Sequence, residues 1–467
     1  MISLTLYTSC LHENYNLLKM KSILILGAGM SSSSLIKYLL SHAKKYDWNV
    51  QVVDQDIELV KSKINNHERG EALAFNATDS EERKIRIAKA DLVISMLPAR
   101  YHVEVAQDCI DLKVDLITPS YISKEMQALD EAARKAGIVI MNEIGVDPGI
   151  DHMSAMKIIH AIQKKGGELL SFKSFCGGLI APEYDTNPWH YKFTWNPRNV
   201  VLAGQGGLAC YIEKNEYKYL PYNRLFSKID RIKIQKFGYF EGYANRDALR
   251  YRKTYGIDDI LTIYRGTLRR PNFCQGWDVF IELGMTDDQT KIENSHLLSP
   301  RTFLNAFLPY KAKVSVEEKF KLFLRPERHY LFEQFSWLGL FEKDVKFKKT
   351  NASPAELLEE LLVKKLSLEP GDKDMLVMHH KFKYRLKGVK YQIESSMVNL
   401  GEDQIFTSMS NTVGLPVGIA AKMILSGNIN EKGVTLPIKA EVYEPILNEL
   451  KVYGIEFTES EKVIKII

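Results

Sequence analysis

The sequence predicts an α/β protein that contains a doubly wound parallel sheet, a second α/β domain and a mainly helical region. Three observations predict this architecture. Short apolar runs alternate with helical stretches over residues 21–141, which is typical of parallel strands covered by helices on both faces. A glycine-rich turn follows the first apolar run. Residues 291–369 are charged and helical in pattern, with few strand signals.

The first third of the chain contains the apolar runs that are predicted to form the parallel sheet. These six runs span residues 22–26, 48–53, 72–75, 91–95, 114–117 and 138–141. Helices are predicted between them, notably over residues 31–43, 101–112 and 123–136. Strands and helices that alternate in this way match a Rossmann-type dinucleotide-binding domain.

The pattern changes at Asp147-Pro148-Gly149, where a second domain is predicted to begin. The predicted domains are 20–145 with a return of about 410–467 (Rossmann), 146–290 with 370–409 (α/β substrate domain) and 291–369 (mainly helical). Within them we expect a helix over 151–164, strands near 169–175, 199–203 and 374–396, and an apolar helix over 412–425 that packs on the first domain. Residues 1–19 lack the features of a signal peptide, so we expect an arm or a misassigned start before Met20.

Composition excludes several classes of partner. The 467 residues carry a net charge of +5, which gives no electrostatic reason to expect nucleic-acid binding. The apolar runs are too short to span a membrane. Five cysteines are scattered without a C-x-x-C pair, so we predict no metal site and reduced thiols in a cytoplasmic protein. A homodimer is the default expectation for oligomeric state.

The segment ILILGAGMSSS places a phosphate-binding turn after the first strand. Gly27 permits the tight turn, Gly29 lets a pyrophosphate approach the backbone, and Ser32 stands where a third glycine would fall. Met30 and Ser31 complete this predicted cofactor-binding loop. A purely structural glycine turn is the alternative interpretation.

Asp54, at the end of the second strand, predicts the cofactor. A carboxylate there accepts hydrogen bonds from the adenosine ribose and disfavours a 2′-phosphate. Asp56 and Glu58 follow, and no basic residue appears before Lys61. The sequence therefore predicts NAD, with NADP left open because Lys61 or Lys63 could fold back towards the ribose. The alternative for Asp54 is that it only caps the next helix.

Polar motifs follow the fourth, fifth and sixth strands, where ligands bind in open parallel sheets. Ser95 ends the fourth strand in ISMLPARYH, and Ser120 and Tyr121 follow the fifth in TPSYIS. In MNEIGVDPGIDHM, Asp147 and Asp151 are candidates either to act on an amine or to cap the next helix.

At these motifs the sequence resembles the saccharopine reductase family, the saccharopine dehydrogenases of the L-glutamate-forming type. ILGAGM, ISMLP, SYIS, MNEIGVDPGIDHM, SFCGGLIAPE, NRD, YRGTLR and TVGLPVGIAAKMIL occur in the order and approximate spacing of that family. The resemblance implies NAD- or NADP-linked interconversion of saccharopine with glutamate and 2-aminoadipate 6-semialdehyde. By position it implies a substrate pocket lined by Ser120, Tyr121, Asp147, Arg246, Thr267, Leu268 and Arg269. It also implies cofactor contacts at Asn76, Ala77, Ser95, Leu97 and Asn196.

The substrate that the resemblance implies carries three carboxylates and a secondary amine. Arg246 and Arg269 are candidates to bind carboxylates through paired hydrogen bonds, and Asp147 is the candidate catalytic residue that assists proton transfer at the amine. A carboxynorspermidine dehydrogenase-like imine reductase is the nearest alternative, although its polyamine-like product would favour acidic pocket residues. A non-catalytic nucleotide-sensing protein is the alternative of another class.

Overall fold

The computed structural model describes residues 20–202 and 207–464. The predicted arm, residues 1–19, lies outside the described residues. The first part of the chain forms strands β1 (Lys21–Leu26), β2 (Trp48–Asp54), β3 (Gly70–Ala74), β4 (Leu92–Ser95), β5 (Asp115–Ile117) and β6 (Val139–Met141). Its helices are α1 (Ser33–Tyr46), α2 (Ile57–Ile64), α3 (Ser80–Ile87), α4 (His102–Leu112), α5 (Lys124–Ala128) and α6 (Asp130–Ala136).

The rest of the chain alternates between strands and helices. Its strands are β7 (Glu168–Ile180), β8 (Ala209–Glu213), β9 (Glu216–Leu220), β10 (Asp230–Ile234), β11 (Gly238–Ala244), β12 (Thr262–Arg269), β13 (Asp374–Leu386), β14 (Val389–Leu400), β15 (Gly433–Thr435) and β16 (Thr458–Val463). Its helices are α7 (Ile150–Lys164), α8 (Pro197–Val201), α9 (Tyr251–Thr254), α10 (Phe273–Leu283), α11 (Pro300–Phe307), α12 (Val316–Leu324), α13 (Phe332–Trp337), α14 (Pro354–Leu366), α15 (Ser408–Leu425) and α16 (Ala440–Val452).

The first sheet is parallel throughout, with the order β15-β6-β5-β4-β1-β2-β3. The strand order reverses between β1 and β4, and this reversal creates the crevice at which such sheets bind ligands. The central strand β1 is buried on both faces, with Ile23 to Leu26 at 0% exposure. The predicted Rossmann-type architecture is therefore confirmed.

The second sheet is mixed, with the order β10-β11-β12-β7-β13-β14-β16, and β8 and β9 extend it from β12. Strands β7 and β12 run parallel, which brings β12 alongside the long central strand of the sheet. The charged region predicted to be helical contains α11 to α14. None of the described helices is long and apolar enough to cross a membrane.

The C-terminal part of the chain divides between the two sheets. Helix α15 packs on α1 at two glycines: a Cβ at Gly414 would lie 2.7 Å from the Leu35 nitrogen, and one at Gly418 would lie 2.6 Å from the Tyr38 ring. Strand β15 then adds to β6 in the first sheet. The predicted return of 410–467 to the Rossmann domain is wrong for β16, which pairs with β14 in the second sheet.

Two local predictions are also wrong. A strand was predicted near 199–203, but residues 199–201 belong to helix α8 and residue 202 ends it. The helix forms here because Asn196 caps it and Pro197 occupies its first position. Ala203 lies outside the described residues. The single helix predicted over 123–136 is two helices that meet at Leu129.

Candidate active site

An ion cluster lies where the loops after β5 and β6 face strand β12. Arg265 pairs with Asp147 and, at 2.6 Å, with Asp151, and its side chain is 7% exposed. The Tyr121 hydroxyl donates to Asp147 over 2.7 Å. The Arg265 guanidinium also lies 4.5 Å from the centroid of the Tyr251 ring. Tyr121 and Asp147, predicted from separate motifs, therefore meet at one buried arginine that the sequence analysis missed.

Burial controls the protonation of this cluster. It raises the pKa of Asp147 above its ordinary value, although the Arg265 charge acts in the opposite direction. Burial likewise raises the pKa of the Tyr121 hydroxyl, so this residue is a neutral donor at physiological pH. Asp151, in the first turn of α7, also accepts from the backbone N–H of the N-cap residue Gly149 over 2.6 Å, so it both binds the start of the helix and pairs with the arginine.

A second buried network adjoins the first. Glu143, at 0% exposure, accepts from the Ile122 backbone N–H over 2.9 Å and from Arg250 over 2.6 Å, and lies 2.7 Å from His152 Nε2. Burial acts to raise the pKa of Glu143, but the hydrogen bond with His152 and its other partners hold the pKa below its ordinary value. The other ring nitrogen of His152 bonds to the Tyr255 hydroxyl. These partners of Glu143 were not predicted from the sequence.

Two predicted carboxylate-binding arginines lie in different surroundings. Arg246 is exposed, adopts a positive φ of 54°, and holds its guanidinium 4.9 Å from the centroid of the Tyr121 ring. Arg269 is 3% exposed, donates to the Leu268 carbonyl over 2.8 Å, and lies 5.1 Å from the centroid of the Tyr191 ring. Within residues 20–202 and 207–464, neither arginine has a carboxylate in salt-bridge contact, and Arg269 Nε has no hydrogen-bond partner. A buried guanidinium without an anion is costly, which suits a site that receives a carboxylate.

The alternation of side chains along β12 explains why Arg265 and Arg269 face the same side of the sheet. Residues two apart share one face of a strand, so Arg265, Thr267 and Arg269 lie on the same face. Leu268 points to the other face and is fully buried, against the backbone at Gly177. The substrate contact predicted for Leu268 therefore falls on a residue whose side chain belongs to the core.

A hydrogen-bonded histidine lies at the carboxyl ends of β4 and β5, below the edge of the site that carries Ser120 and Tyr121 (the rim). His102 begins α4; its Nδ1 lies 2.9 Å from Ser95 Oγ, and its Nε2 lies 2.8 Å from Ser120 Oγ and 3.0 Å from Thr118 Oγ1. Ser95 is 0% exposed, so its hydroxyl lies below the surface on which we expected a cofactor. The ISMLPARYH motif contains Ser95, Leu97 and His102, but the histidine was not predicted as a site residue.

The glycine turn has the geometry that a dinucleotide requires. Gly27 adopts φ = 103°, and a Cβ there would lie 3.2 Å from the Met96 backbone. At Gly29 an added Cβ would meet nothing within 4 Å, so the approach to the backbone is open. Ser32 donates its hydroxyl to the Gly29 carbonyl over 2.8 Å, which closes the turn before α1. These residues fit the pyrophosphate of a nicotinamide cofactor.

Two residues named in the cofactor prediction, Asp54 and Lys63, both contact the glycine turn. The Asp54 carboxylate accepts from the backbone N–H groups of Ala28 over 2.8 Å and Asp56 over 3.3 Å. Asp56, rather than Asp54, caps α2. Lys63 reaches back to the turn, with Nζ 2.5 Å from the Gly29 carbonyl and 3.2 Å from Ser32 Oγ. Burial lowers the pKa of Lys63 to about 8, although Asp54 acts in the opposite direction.

The remaining predicted cofactor contacts are spread over the loops of the first sheet and beyond. Asn76 is exposed after β3 and accepts from the Thr78 backbone N–H over 3.1 Å, whereas Ala77 is buried. Met30 is 54% exposed, and Leu97 packs partly buried against the core of the first domain. Asn196 caps α8. Ser31 is partly exposed beside Met30. Their roles stay predictions.

Comparison with known proteins identifies the family. The family described as the saccharopine dehydrogenase NADP binding domain matches residues 23–141, and that described as the saccharopine dehydrogenase C-terminal domain matches residues 145–455. The chain belongs to the saccharopine dehydrogenase family. It is therefore an oxidoreductase that acts on a CH–NH group with a nicotinamide cofactor.

Individual relatives cover almost the whole chain. "Saccharopine dehydrogenase [NADP(+), L-glutamate-forming]" of Schizosaccharomyces pombe is 32% identical, over 94% of this chain and 99% of the relative. "Alpha-aminoadipic semialdehyde synthase, mitochondrial" of Bos taurus is 32% identical over 95% of this chain, which spans 48% of that relative. The solved structure of apo saccharopine dehydrogenase (L-Glu forming) from Saccharomyces cerevisiae matches with a TM-score of 0.86 and 32% identity, over 95% of this chain and 100% of that chain.

Proposed function

We propose that this saccharopine dehydrogenase family member interconverts saccharopine with glutamate and 2-aminoadipate 6-semialdehyde, in lysine metabolism. The proposal is carried by the largely buried carboxylate of Asp147 and by two arginines that lack carboxylate partners among the described residues. Arg246 lies over the ring of Tyr121, which donates to Asp147, and Arg269 lies on the same face of β12 as Arg265. A substrate with three carboxylates and one secondary amine matches this combination of charges. The names of the fungal relatives support the same substrate.

Each side chain has a defined task in this reaction. When bound, the nicotinamide would accept hydride from the carbon beside the amine, and water would then hydrolyse the resulting imine to glutamate and 2-aminoadipate 6-semialdehyde. Asp147 holds the amine and takes its proton, since burial makes this carboxylate a stronger base than an exposed aspartate. Tyr121 orients Asp147 by donating to it, and Arg265 keeps the carboxylate in place. Arg246 and Arg269 bind substrate carboxylates.

The proposed cofactor is NADP, in place of the NAD expected from Asp54. The matching family is described as an NADP binding domain, and the fungal relatives carry NADP(+) in their names. Lys63 supplies a cation beside the glycine turn, where Asp54 already accepts two backbone hydrogen bonds. We propose that Lys63 binds the 2′-phosphate.

The reaction is tested by the formation of reduced cofactor from saccharopine and NADP⁺, followed by absorbance, with glutamate identified as a product. Carboxynorspermidine is the control substrate, and we expect it to remain unreacted. Cofactor binding without turnover of saccharopine would instead favour a nucleotide-sensing protein.

The cofactor proposal is tested by the dissociation constants of NADPH and NADH, measured by fluorescence. Lys63→Met should weaken NADPH binding roughly tenfold or more and leave NADH binding nearly unchanged, since a charged hydrogen bond to the phosphate is lost. Lys61→Met is the matched control, because Lys61 is 57% exposed and pairs with Glu58 at 2.8 Å. Tighter binding of NADH than NADPH to the wild-type protein would restore the original expectation from Asp54.

A further inference from the structure

The hydroxyl–imidazole cluster at His102 joins the ends of two neighbouring strands. Ser95 is the last residue of β4, and Thr118 and Ser120 follow β5. Three of the four side chains are buried, with exposures of 0% for Ser95, 1% for Thr118 and 3% for His102. Ser120 alone of these four is partly exposed, at the rim beside Tyr121. The cluster therefore reaches the surface of the site through one hydroxyl.

The loop that carries this hydroxyl is held from two directions. His102 Nε2 contacts the Ser120 side chain at 2.8 Å, and the Glu143 backbone N–H donates to the Ser120 carbonyl over 3.2 Å. The next residue, Tyr121, donates its hydroxyl to Asp147 over 2.7 Å. A shift of Ser120 would therefore displace the donor that orients Asp147.

We infer that His102 is a positioning residue, which fixes the Ser120 hydroxyl and its loop for substrate binding. This inference rests on the proposed function, because it takes saccharopine as the ligand of that rim. A neutral imidazole has one N–H and one lone pair, so it assigns opposite hydrogen-bonding roles to the hydroxyls at its two ends. Burial lowers the pKa of His102 to about 4, which keeps the ring neutral under physiological conditions.

Two variants of His102 separate the two ends of the ring. The amide of His102→Asn reaches about as far as Nδ1 and keeps the contact with Ser95, whereas that of His102→Gln reaches about as far as Nε2 and keeps the contact with Ser120. Saccharopine binding to the complex with NADPH is measured by calorimetry, and NADPH binding by fluorescence. Loss of a neutral hydrogen bond predicts saccharopine binding roughly three- to tenfold weaker in His102→Asn, with His102→Gln close to wild type.

A double-variant cycle and a measurement without substrate complete the test. Ser120→Ala should weaken saccharopine binding as much as His102→Asn, and the combined variant should be no weaker, with NADPH binding unchanged throughout. Amide hydrogen exchange over residues 118–121 should be faster in His102→Asn than in His102→Gln. This exchange difference tests the positioning even if the wild-type protein does not bind saccharopine, a result that would refute the proposed function alone.

Three results would overturn the inference: equal saccharopine affinity in both His102 variants, additive losses in the combined variant, or equal exchange in the loop. If His102→Asn does not fold, the comparison of His102→Gln with Ser120→Ala decides, since the inference requires the first to keep tight binding and the second to lose it.

Discussion

Replacing Arg265 by methionine should destabilise the protein by removing the cation from its buried ion cluster. The side chain is 7% exposed, and the carboxylates of Asp147 and Asp151 are 17% and 3% exposed. Two unit charges about 4 Å apart attract by ~4 kcal/mol at an effective dielectric constant of about 20. Removal of one partner from a buried pair typically costs ~3–5 kcal/mol, because the remaining charge stays buried without compensation. We expect a loss of that size in the free energy of unfolding of Arg265→Met at neutral pH.

The sign of the pH dependence follows from the same charges. Burial already raises the pKa of Asp147, and without the opposing charge of Arg265 this pKa rises further above its value in the unfolded chain. Protonation then removes the uncompensated charge, so the loss of stability should shrink as the pH falls. Unfolding in denaturant at neutral and mildly acidic pH measures both the loss and its change.

Arg250→Met is the matched control for this experiment. Arg250 also pairs with a buried carboxylate, Glu143, at 2.6 Å, but its side chain is 37% exposed. Glu143 keeps His152 and a backbone N–H as partners, so the control should lose less stability than Arg265→Met. Combining Arg265→Met with Asp151→Asn should restore part of the loss. A stability of Arg265→Met within ~1 kcal/mol of wild type at neutral pH would refute the reasoning, since breaking a buried pair should cost more.

Four further substitutions test the site and the fold. Asp147→Asn should lower turnover by roughly a hundredfold or more, as measured by steady-state kinetics. Its melting temperature should change little, because Asp151 remains as the partner of Arg265; unchanged turnover across the pH range would reduce Asp147 to a turn residue. Gly27→Ala should cost ~1–3 kcal/mol of stability because of its positive φ, whereas Gly29→Ala, in open space, should fold like wild type; equal unfolding curves for the two would contradict this. Glu356 has a pKa lowered to about 2 from 4.5 by its hydrogen bond with Lys291, so its contribution to stability is present above pH 4.5 and is lost as the pH falls towards 2. Glu356→Gln should therefore lose up to ~1 kcal/mol at neutral pH and nothing near pH 2, and a loss that persists in acid would exclude the carboxylate as its cause.

The sequence was sufficient for the parts of the fold that repeat a strong pattern. Strands β1, β4 and β6 of the first sheet are buried on both faces over most of their length, so their apolar runs were visible without knowledge of their partners. Strand β15 has three residues and gains its stability from pairing with β6, which no local signal reveals. Strand β16, with the sequence TESEKV, has only exposed residues, lies at a sheet edge and lacks apolar alternation. Such elements are defined by pairing, and pairing is a tertiary property.

The ion cluster likewise combines residues that a sequence pattern reveals with contacts that only tertiary packing sets. Tyr121 and Asp147 were predicted because they follow strands whose ends meet at one edge. Arg265 was missed, although its motif YRGTLR was noted, because that motif was read by family position and not by strand period. The period of two places Arg265 on the face of Arg269, so the signal was present in the sequence. The partners of Glu143, by contrast, come from separate segments and are set by the packing of the second domain against the first.

The cofactor expectation gave most weight to residues adjacent in sequence to Asp54, and left NADP open only through Lys61 or Lys63. Asp54 and Asp56 follow directly after the strand, but backbone groups already occupy their carboxylates: Asp54 accepts from Ala28, and Asp56 caps α2. Lys63, at the other end of that helix, extends its flexible side chain to the glycine turn. Because spacing along a chain does not fix distance in space, a long cationic side chain on a following helix bears on the choice of cofactor as directly as the residue that ends the strand.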